Sequence, residues 1–371
     1  MATFLPDRER ILLGPGPSRT SPRVMRAMSA PTVGHLDPFM LKLLDDVRSR
    51  LLRLFRAAEG SFALAVSGTG TSGMEAVVAN LVADGTKVLV VVNGYFGDRI
   101  AQMCERYGAT VRRLDIEWGK ACEPDALRQA LRAGPAEIVA MVHAETSTGV
   151  LNSVRELAAV AREHDALTIV DAVSSFGGVP LDVGEWGIDA CYSCTQKCLS
   201  AGSGLAPVVF GPRALARLAK CRSFYFDLHL LQDYWLKRKY HHTMSSALVC
   251  ALDEALTIVE EEGLDARWAR HERNHRALVA GLASRGLSLL PKEQDRLWTL
   301  NAVRVPDGVD EAAVRIQLLD EFNIEIGAGL GPLAGKIWRV GLMGASSAME
   351  PIVLFLGALD QTLAAQTRAL V

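Results

Sequence analysis

The chain of 371 residues carries 40 Lys and Arg against 42 Asp and Glu, with 49 % apolar and 22 % charged residues. This length exceeds what one hydrophobic core usually organises, so about two domains are expected. The balanced charge, with no long run of either sign, excludes a phosphate-backbone footprint and hence a nucleic-acid partner, and the ordinary Gly and Pro content excludes a disordered or collagen-like chain.

The chain opens MATFLPDRERILL, with charges where a secretory leader needs its apolar stretch, and no later window approaches about 18 uninterrupted apolar residues. A cytoplasmic enzyme without a membrane partner is expected. Seven cysteines, an odd number scattered along the chain, imply free thiols in a reducing compartment. Cys191 and Cys194 have zinc-ligand spacing but no second pair, so they are expected to be buried thiols, with no metal bound.

Short β-branched runs then alternate with helical stretches: FALAV (62–66), KVLVVV (87–92), ATVRRLDI (109–116), EIVAMVH (137–143), LTIVD (167–171), IDACYSC (188–194) and LAPVVFG (205–211). Between them, GMEAVVANLVADG (73–85) and SVRELAAVAREHD (153–165) space apolar residues at i, i+3, i+4, as crossover helices do. Strands apolar at nearly every position predict a parallel sheet covered on both faces, an α/β fold. From about residue 245 the pattern turns to long helices. Strands at 297–305, 324–329 and 337–343 follow, with a helix at 310–322 between the first two. The expected division is an N-terminal segment (1–20), a large domain (21–245) and a smaller α+β domain (246–371).

Three features carry chemistry. The turn in FALAVSGTGTSGMEA joins a strand to a helix start, where free N–H groups and the helix dipole favour an anion. Its Gly68-x-Gly70-x-x-Gly73 also matches the dinucleotide fingerprint, the basis of an alternative NAD-dependent oxidoreductase. The next strand ends in Asn93 and Gly94, however, where ribose binding calls for an acid. Asp171 lies at the carboxyl end of LTIVD, where α/β sheets bind ligands. Lys197 follows between two apolar strands; a desolvated lysine has a lowered pKa and can form a Schiff base with a carbonyl, and an acid that holds a pyridine nitrogen protonated is its complement.

Phosphate cup, aspartate and lysine together point to pyridoxal 5′-phosphate. With LLGPGP (12–17), VGHLDP (33–38), NGYFGDR (93–99), HAETSTGVLN (143–152), IVDAVSSFGG (169–178), TQK (195–197), KYHHT (239–243) and GLGPLAGKIWRVGLMG (329–344), the chain resembles class V, fold-type I aminotransferases. The resemblance is greatest to the alanine–glyoxylate and serine–glyoxylate group and covers nearly the whole length. It implies a large domain with a mostly parallel central sheet flanked by helices, and a smaller C-terminal α+β domain.

The resemblance also implies roles. Lys197 would bind the cofactor and move the proton, and Asp171 would hold the pyridinium nitrogen. Thr69, Gly70, Thr71 and Gln196 would receive the phosphate, while Phe96, where relatives often have Trp, and Val173 would flank the ring. Tyr240 and Thr243 would reach the phosphate of a second subunit, making the enzyme a homodimer with shared sites. Arg339 would clamp the substrate carboxylate, with Gly16 and Thr146 beside it, Thr146 also touching the cofactor.

The implied activity is ping-pong transfer of an amino group from alanine or serine to glyoxylate or pyruvate. No second arginine in these motifs is positioned for a side-chain carboxylate. Relatives acting on 2-aminoethylphosphonate, ureidoglycine or pyridoxamine remain alternatives, and His35 is where such a shift is expected. A cysteine desulfurase would need a loop cysteine late in the chain, whereas the last is Cys250. Where relatives follow the lysine with an Ala-Pro-Pro-Gly turn, this chain has Ser200-Ala201-Gly202-Ser203-Gly204, a more flexible loop in expectation.

Overall fold

The structure, a computed structural model, describes residues 9–369, with side chains to residue 366. The first eight residues of the expected N-terminal segment lie outside the described residues. Strand β1 (Ile11–Leu12) leads into helices α1 (Pro22–Met28) and α2 (Pro38–Leu54). Strands and helices then alternate as β2 (Phe62–Gly68), α3 (Gly70–Leu81), β3 (Lys87–Val92), α4 (Tyr95–Arg106), β4 (Thr110–Asp115), α5 (Pro124–Ala133) and β5 (Ile138–Val142). A small hairpin of β6 (Ala144–Glu145) and β7 (Val150–Leu151) precedes α6 (Val154–Glu163), β8 (Leu167–Asp171), β9 (Ala190–Tyr192) and β10 (Gly204–Phe210).

Helices α7 (Pro212–Leu215), α8 (Leu228–Lys237), α9 (Ser246–Glu262) and α10 (Leu264–Ala283) follow. The chain closes with β11 (Leu300–Arg304), α11 (Glu311–Phe322), β12 (Ile324–Glu325), β13 (Gly327–Ala328), β14 (Ile337–Gly341) and α12 (Met349–Ala369).

The central sheet has the order β2-β10-β9-β8-β5-β3-β4. Strands β5 and β8 are buried at every position, as a sheet covered on both faces requires, while edge strand β4 is half-exposed to exposed throughout. The sheet is mixed rather than wholly parallel: β10 runs antiparallel to both β2 and β9. The reason lies in the link between β9 and β10, which carries Lys197 and no helix, and a parallel return needs a crossover.

The stretch 324–329 also differs from expectation, dividing between two sheets. Ile324 and Glu325 pair in parallel with Ile11 and Leu12, while Gly327 and Ala328 join β14. Two large cores result. One surrounds the central sheet and includes Val249, Leu252, Leu256 and Val259 of α9; the other gathers Leu278, Val314, Trp338, Phe355 and Leu359 around the C-terminal sheet and takes in Leu13. Drawn by core membership, the domain division we propose follows α9 instead of preceding it.

Candidate active site

The carboxyl ends of β2, β3, β5 and β8 lie on one edge of the sheet, and the antiparallel β10 begins there, with Gly204 opposite Gly68. This edge gathers the glycine turn, Asp171 and Lys197. At the turn, the Ser72 and Gly73 N–H groups close onto the carbonyl of Thr69, and no side chain caps α3. The first N–H groups of the helix, Gly70 and Thr71, are thereby left for a ligand. Gly70 is needed for space, since a Cβ there would lie 2.8 Å from Val173 Cγ2. Arg99 of α4 reaches the rim of this cup, donating to Thr71 Oγ1 at 3.3 Å with its guanidinium 5.2 Å from the Phe96 ring.

Asp171 is buried at the end of β8. Its Oδ1 accepts the Val173 N–H at 2.8 Å, and its Oδ2 accepts the Tyr192 hydroxyl at 2.9 Å. Parallel pairing puts Tyr192 opposite Asp171, so β9 delivers the hydroxyl. Burial pushes the Asp171 carboxyl up to about 7; the two donors and the charge of Lys197 pull it down, while Glu145 adds to the rise.

Lys197 donates its Nζ to the carbonyl of Pro15. Burial lowers its pKa, and the nearby charge of Arg339 acts in the same direction. Gly16, at φ +107°, lies against it: a Cβ there would lie 2.5 Å from Nζ. Gln196, beside it, has a buried Oε1 without a hydrogen-bond partner.

The loop after the lysine is tied down, contrary to the flexibility expected of Ser-Ala-Gly-Ser-Gly. Ser18 Oγ donates to the Lys197 carbonyl at 2.6 Å, and the Ala345 N–H donates to Ser200 Oγ at 2.7 Å. The buried Arg267 donates to the Cys198 and Gly177 carbonyls while paired with Glu262. These clamps come from both ends of the chain and from α10, so the five loop residues alone did not announce them.

Arg339 on β14 is 7 % exposed. It donates from Nε to the Ala328 carbonyl at 2.6 Å and from Nη1 to the Thr146 carbonyl at 3.4 Å. Among the described residues it has no carboxylate at ion-pair distance. Burial lowers its pKa to about 10, opposed by the charge of Glu145. Thr146 thus meets Arg339 through its main chain.

Glu145 was not expected at the site, yet it is fully buried and receives four donors. Ser147 N and Oγ donate to Oε1 at 3.0 and 2.6 Å, and Phe96 N and Gly97 N donate to Oε2 at 3.1 and 3.2 Å. Tyr192 was also not expected. Each sits in an apolar or small-residue strand whose sequence offers no reason to single it out before the pairing is known.

Tyr240 and Thr243 face outward, Tyr240 being 64 % exposed. The Tyr240 ring packs 5.4 Å from that of His35, whose buried Nε2 has no partner. Their segment approaches the cup through His242, whose Nε2 lies 2.9 Å from Ser67 Oγ. No hydrogen bond among the described residues joins Tyr240 or Thr243 to residues 69–71 of the same chain. All seven cysteines are free, no group of His, Cys, Asp and Glu suited to a metal occurs among the described residues, and no described helix is long and apolar enough to cross a membrane.

Known proteins share this fold. A solved alanine–glyoxylate aminotransferase from Nostoc sp. superposes with a TM-score of 0.95 at 45 % identity, covering 98 % of this chain and 97 % of that one. A (S)-ureidoglycine–glyoxylate transaminase of Bacillus subtilis is 38 % identical over 95 % of this chain and 90 % of its own length. An alanine–glyoxylate aminotransferase of Drosophila melanogaster is 36 % identical over 95 % and 92 %. The aminotransferase class-V family model matches residues 12–340, from the strand beside Gly16 to the strand of Arg339. With the glycine cup, the lysine and the aspartate all inside that match, the chain belongs to the class V aminotransferases, whose cofactor is pyridoxal 5′-phosphate.

Proposed function

We propose that this aminotransferase moves the amino group of a small amino acid, alanine or serine, to glyoxylate or pyruvate in a ping-pong exchange, as a cytoplasmic homodimer. The observation that carries the substrate class is Arg339, a buried guanidinium with only carbonyl contacts beside Lys197. A buried charge left unpaired is costly, and a carboxylate ligand would relieve it with bidentate geometry.

The residues at the sheet edge fit the cofactor. The uncapped N-terminus of α3 suits its phosphate, and the lack of a side chain at Gly70 lets Val173 pack directly against the cup. Thr69, Gly70, Thr71 and Gln196 would hold the phosphate, Phe96 and Val173 would flank the ring, and Asp171 would hold its nitrogen. When bound, pyridoxal 5′-phosphate supplies an aldehyde that takes up an amine and a ring that accepts an electron pair.

The chain does the rest. Lys197, its amine made easier to deprotonate by burial, presents Nζ to the cofactor and carries a proton to and from the substrate carbon. Pro15 and Gly16 close over that amine. Asp171 holds a proton on the ring nitrogen, and Tyr192 supports its ionised form. Removing that hydroxyl as Tyr192→Phe raises the Asp171 pKa. Activity that needs the ionised carboxylate is lost as pH falls through that pKa. The acid limb of kcat/KM against pH is therefore expected to move upward by about one pH unit. An unmoved limb would remove Tyr192 from this role.

Two features support the dimer. The exposed Tyr240, Thr243 and Phe224 share a face with His35, and Phe224 stacks on His241 at 5.4 Å. In the dimer Tyr240 and Thr243 would complete the partner's phosphate cup. Sedimentation is expected to return twice the chain mass of 40.1 kDa.

A second reading, ureidoglycine as donor, is favoured by the Bacillus relative and by the unpartnered His35 Nε2, a hydrogen-bonding group near the shared face. The test is the absorbance of the cofactor-loaded protein as L-alanine, L-serine or (S)-ureidoglycine is added, followed by glyoxylate. Loss of the visible band with alanine or serine and its return with glyoxylate is the expected result. Loss with ureidoglycine alone would establish the second reading, and loss with none would overturn both.

A further inference from the structure

Helix α4 carries Phe96 in its first turn but is preceded at its N-cap by Gly94, which has no side chain to cap it. The cap comes from elsewhere. Glu145 Oε2 accepts the Phe96 and Gly97 N–H groups, and Ser147 Oγ accepts the Tyr95 N–H at 2.9 Å. Gly94 is required for this arrangement, since a Cβ there would overlap the Glu145 carboxyl group. Such an interaction usually needs only a serine or an asparagine. A fully buried carboxylate is a costly choice for a cap alone.

The Glu145 carboxyl accepts four donors: two from Ser147, one from Phe96 and one from Gly97. Three of these contacts are main-chain N–H groups that can only donate, and while burial raises the Glu145 pKa, all four donors oppose that rise. The group is therefore accommodated as an anion at the positive end of α4. The residue that follows, Thr146, offers its carbonyl to Arg339 Nη1, and the charge of Glu145 acts on that guanidinium. The otherwise unpaired Arg339 thus has its counter-charge one residue away from its main-chain contact.

We infer that Glu145 is a positioning residue for substrate: its buried negative charge holds Arg339 in the orientation that receives the amino-acid and oxo-acid carboxylate. This rests on the reading of Arg339 as the carboxylate anchor. The segment 145–147 consequently joins the wall that carries Phe96 to the clamp that orients the substrate, and charge there acts on binding more than on proton transfer.

The test compares Glu145→Gln, Glu145→Asp, Ser147→Ala and Arg339→Lys, each folded and cofactor-loaded, by KM and kcat for both half-reactions. Glu145→Gln is expected to raise the KM of amino donor and oxo-acid acceptor by about tenfold with kcat lowered less than about threefold, the pattern of lost carboxylate binding. Glu145→Asp, which keeps the charge, is expected to hold KM within about threefold, and Ser147→Ala, which loses the Tyr95 cap bond and one donor to Glu145 but keeps the charge, to lower the melting temperature while leaving KM within about twofold.

A Glu145→Gln enzyme with unchanged KM, or Ser147→Ala equal to it, would overturn the inference and leave a helix cap. Should Glu145→Gln fail to fold, Glu145→Asp decides: near-native KM supports the charge, and a rise equal to that of Arg339→Lys opposes it. Unchanged KM in Arg339→Lys would instead overturn the anchor reading itself, so the two failures are told apart.

Discussion

Replacing Lys197 with alanine is expected to abolish the visible band that depends on the bond between lysine and cofactor and to lower kcat on the order of 10⁴-fold, the upper end of what a positioned proton-transfer group contributes. The fold should survive. The loop is held through its main chain, by Ser18 on the Lys197 carbonyl and Arg267 on that of Cys198, and these bonds remain in the variant. Thermal melting near that of the wild type, with the band absent, would separate loss of chemistry from loss of structure. The space left beside Gly16 and Pro15 is suited to a small primary amine, so millimolar methylamine is expected to restore part of the activity. Activity within tenfold of the wild type would remove Lys197 from the central role.

Asp171→Asn is expected to cost about 10² to 10⁴ in kcat, because an amide cannot hold a proton on a pyridine nitrogen by charge. Geometry favours a clean comparison. The asparagine oxygen can still accept the Val173 N–H, and the Tyr192 hydroxyl can turn to accept from the new amide. The same substitution has a second readout in the cofactor-free protein. Burial pushes Asp171 from its ordinary 3.8 up to about 7. Between those values the unfolded chain has released a proton that the folded chain keeps, so on this group's account stability falls as pH rises from about 4 to about 7. Wild-type melting temperature should therefore drop more across that window than that of Asp171→Asn. Parallel curves would show that Asp171 is not a perturbed carboxyl in the free protein.

Much of this site was legible because strand ends announce themselves. Apolar runs that terminate in Asp171 or in the glycine turn mark the ligand edge of an α/β sheet, and a lysine between two apolar strands has little reason to be there except chemistry. Residues whose meaning depends on pairing were harder to read. Tyr192 becomes a partner of Asp171 only through parallel register, and Glu145 becomes a helix cap only when Gly94 is brought against it.

The direction of β10 was hidden for a related reason: an all-apolar strand reads alike in either orientation, and the helix-free link is the only clue. Ser200 gave the opposite lesson. A run of Ser, Ala and Gly suggests mobility, but Ser200, at φ +55°, is fixed by contacts with Ser18 and Ala345, residues far from it in sequence. Two-residue strands such as β1 carry no periodicity at all.

The pairing of β1 with β12 bears on how the enzyme comes into being. Asn323 Nδ2 donates to the carbonyl of Glu9, 314 positions earlier, and the Ile11 N–H donates to the carbonyl of Asn323. During synthesis at roughly 5 to 20 residues per second, the segment that closes over Lys197 emerges first and then waits roughly 15 to 60 s for its partner strand. Over that interval a ribosome-bound chain can assemble its central sheet while the pocket stays open. Chains released early, before residue 324, would lack this fastening, so messages interrupted late in the reading frame yield proteins with the residues of the central-sheet core present, the second core unfinished and no working catalyst.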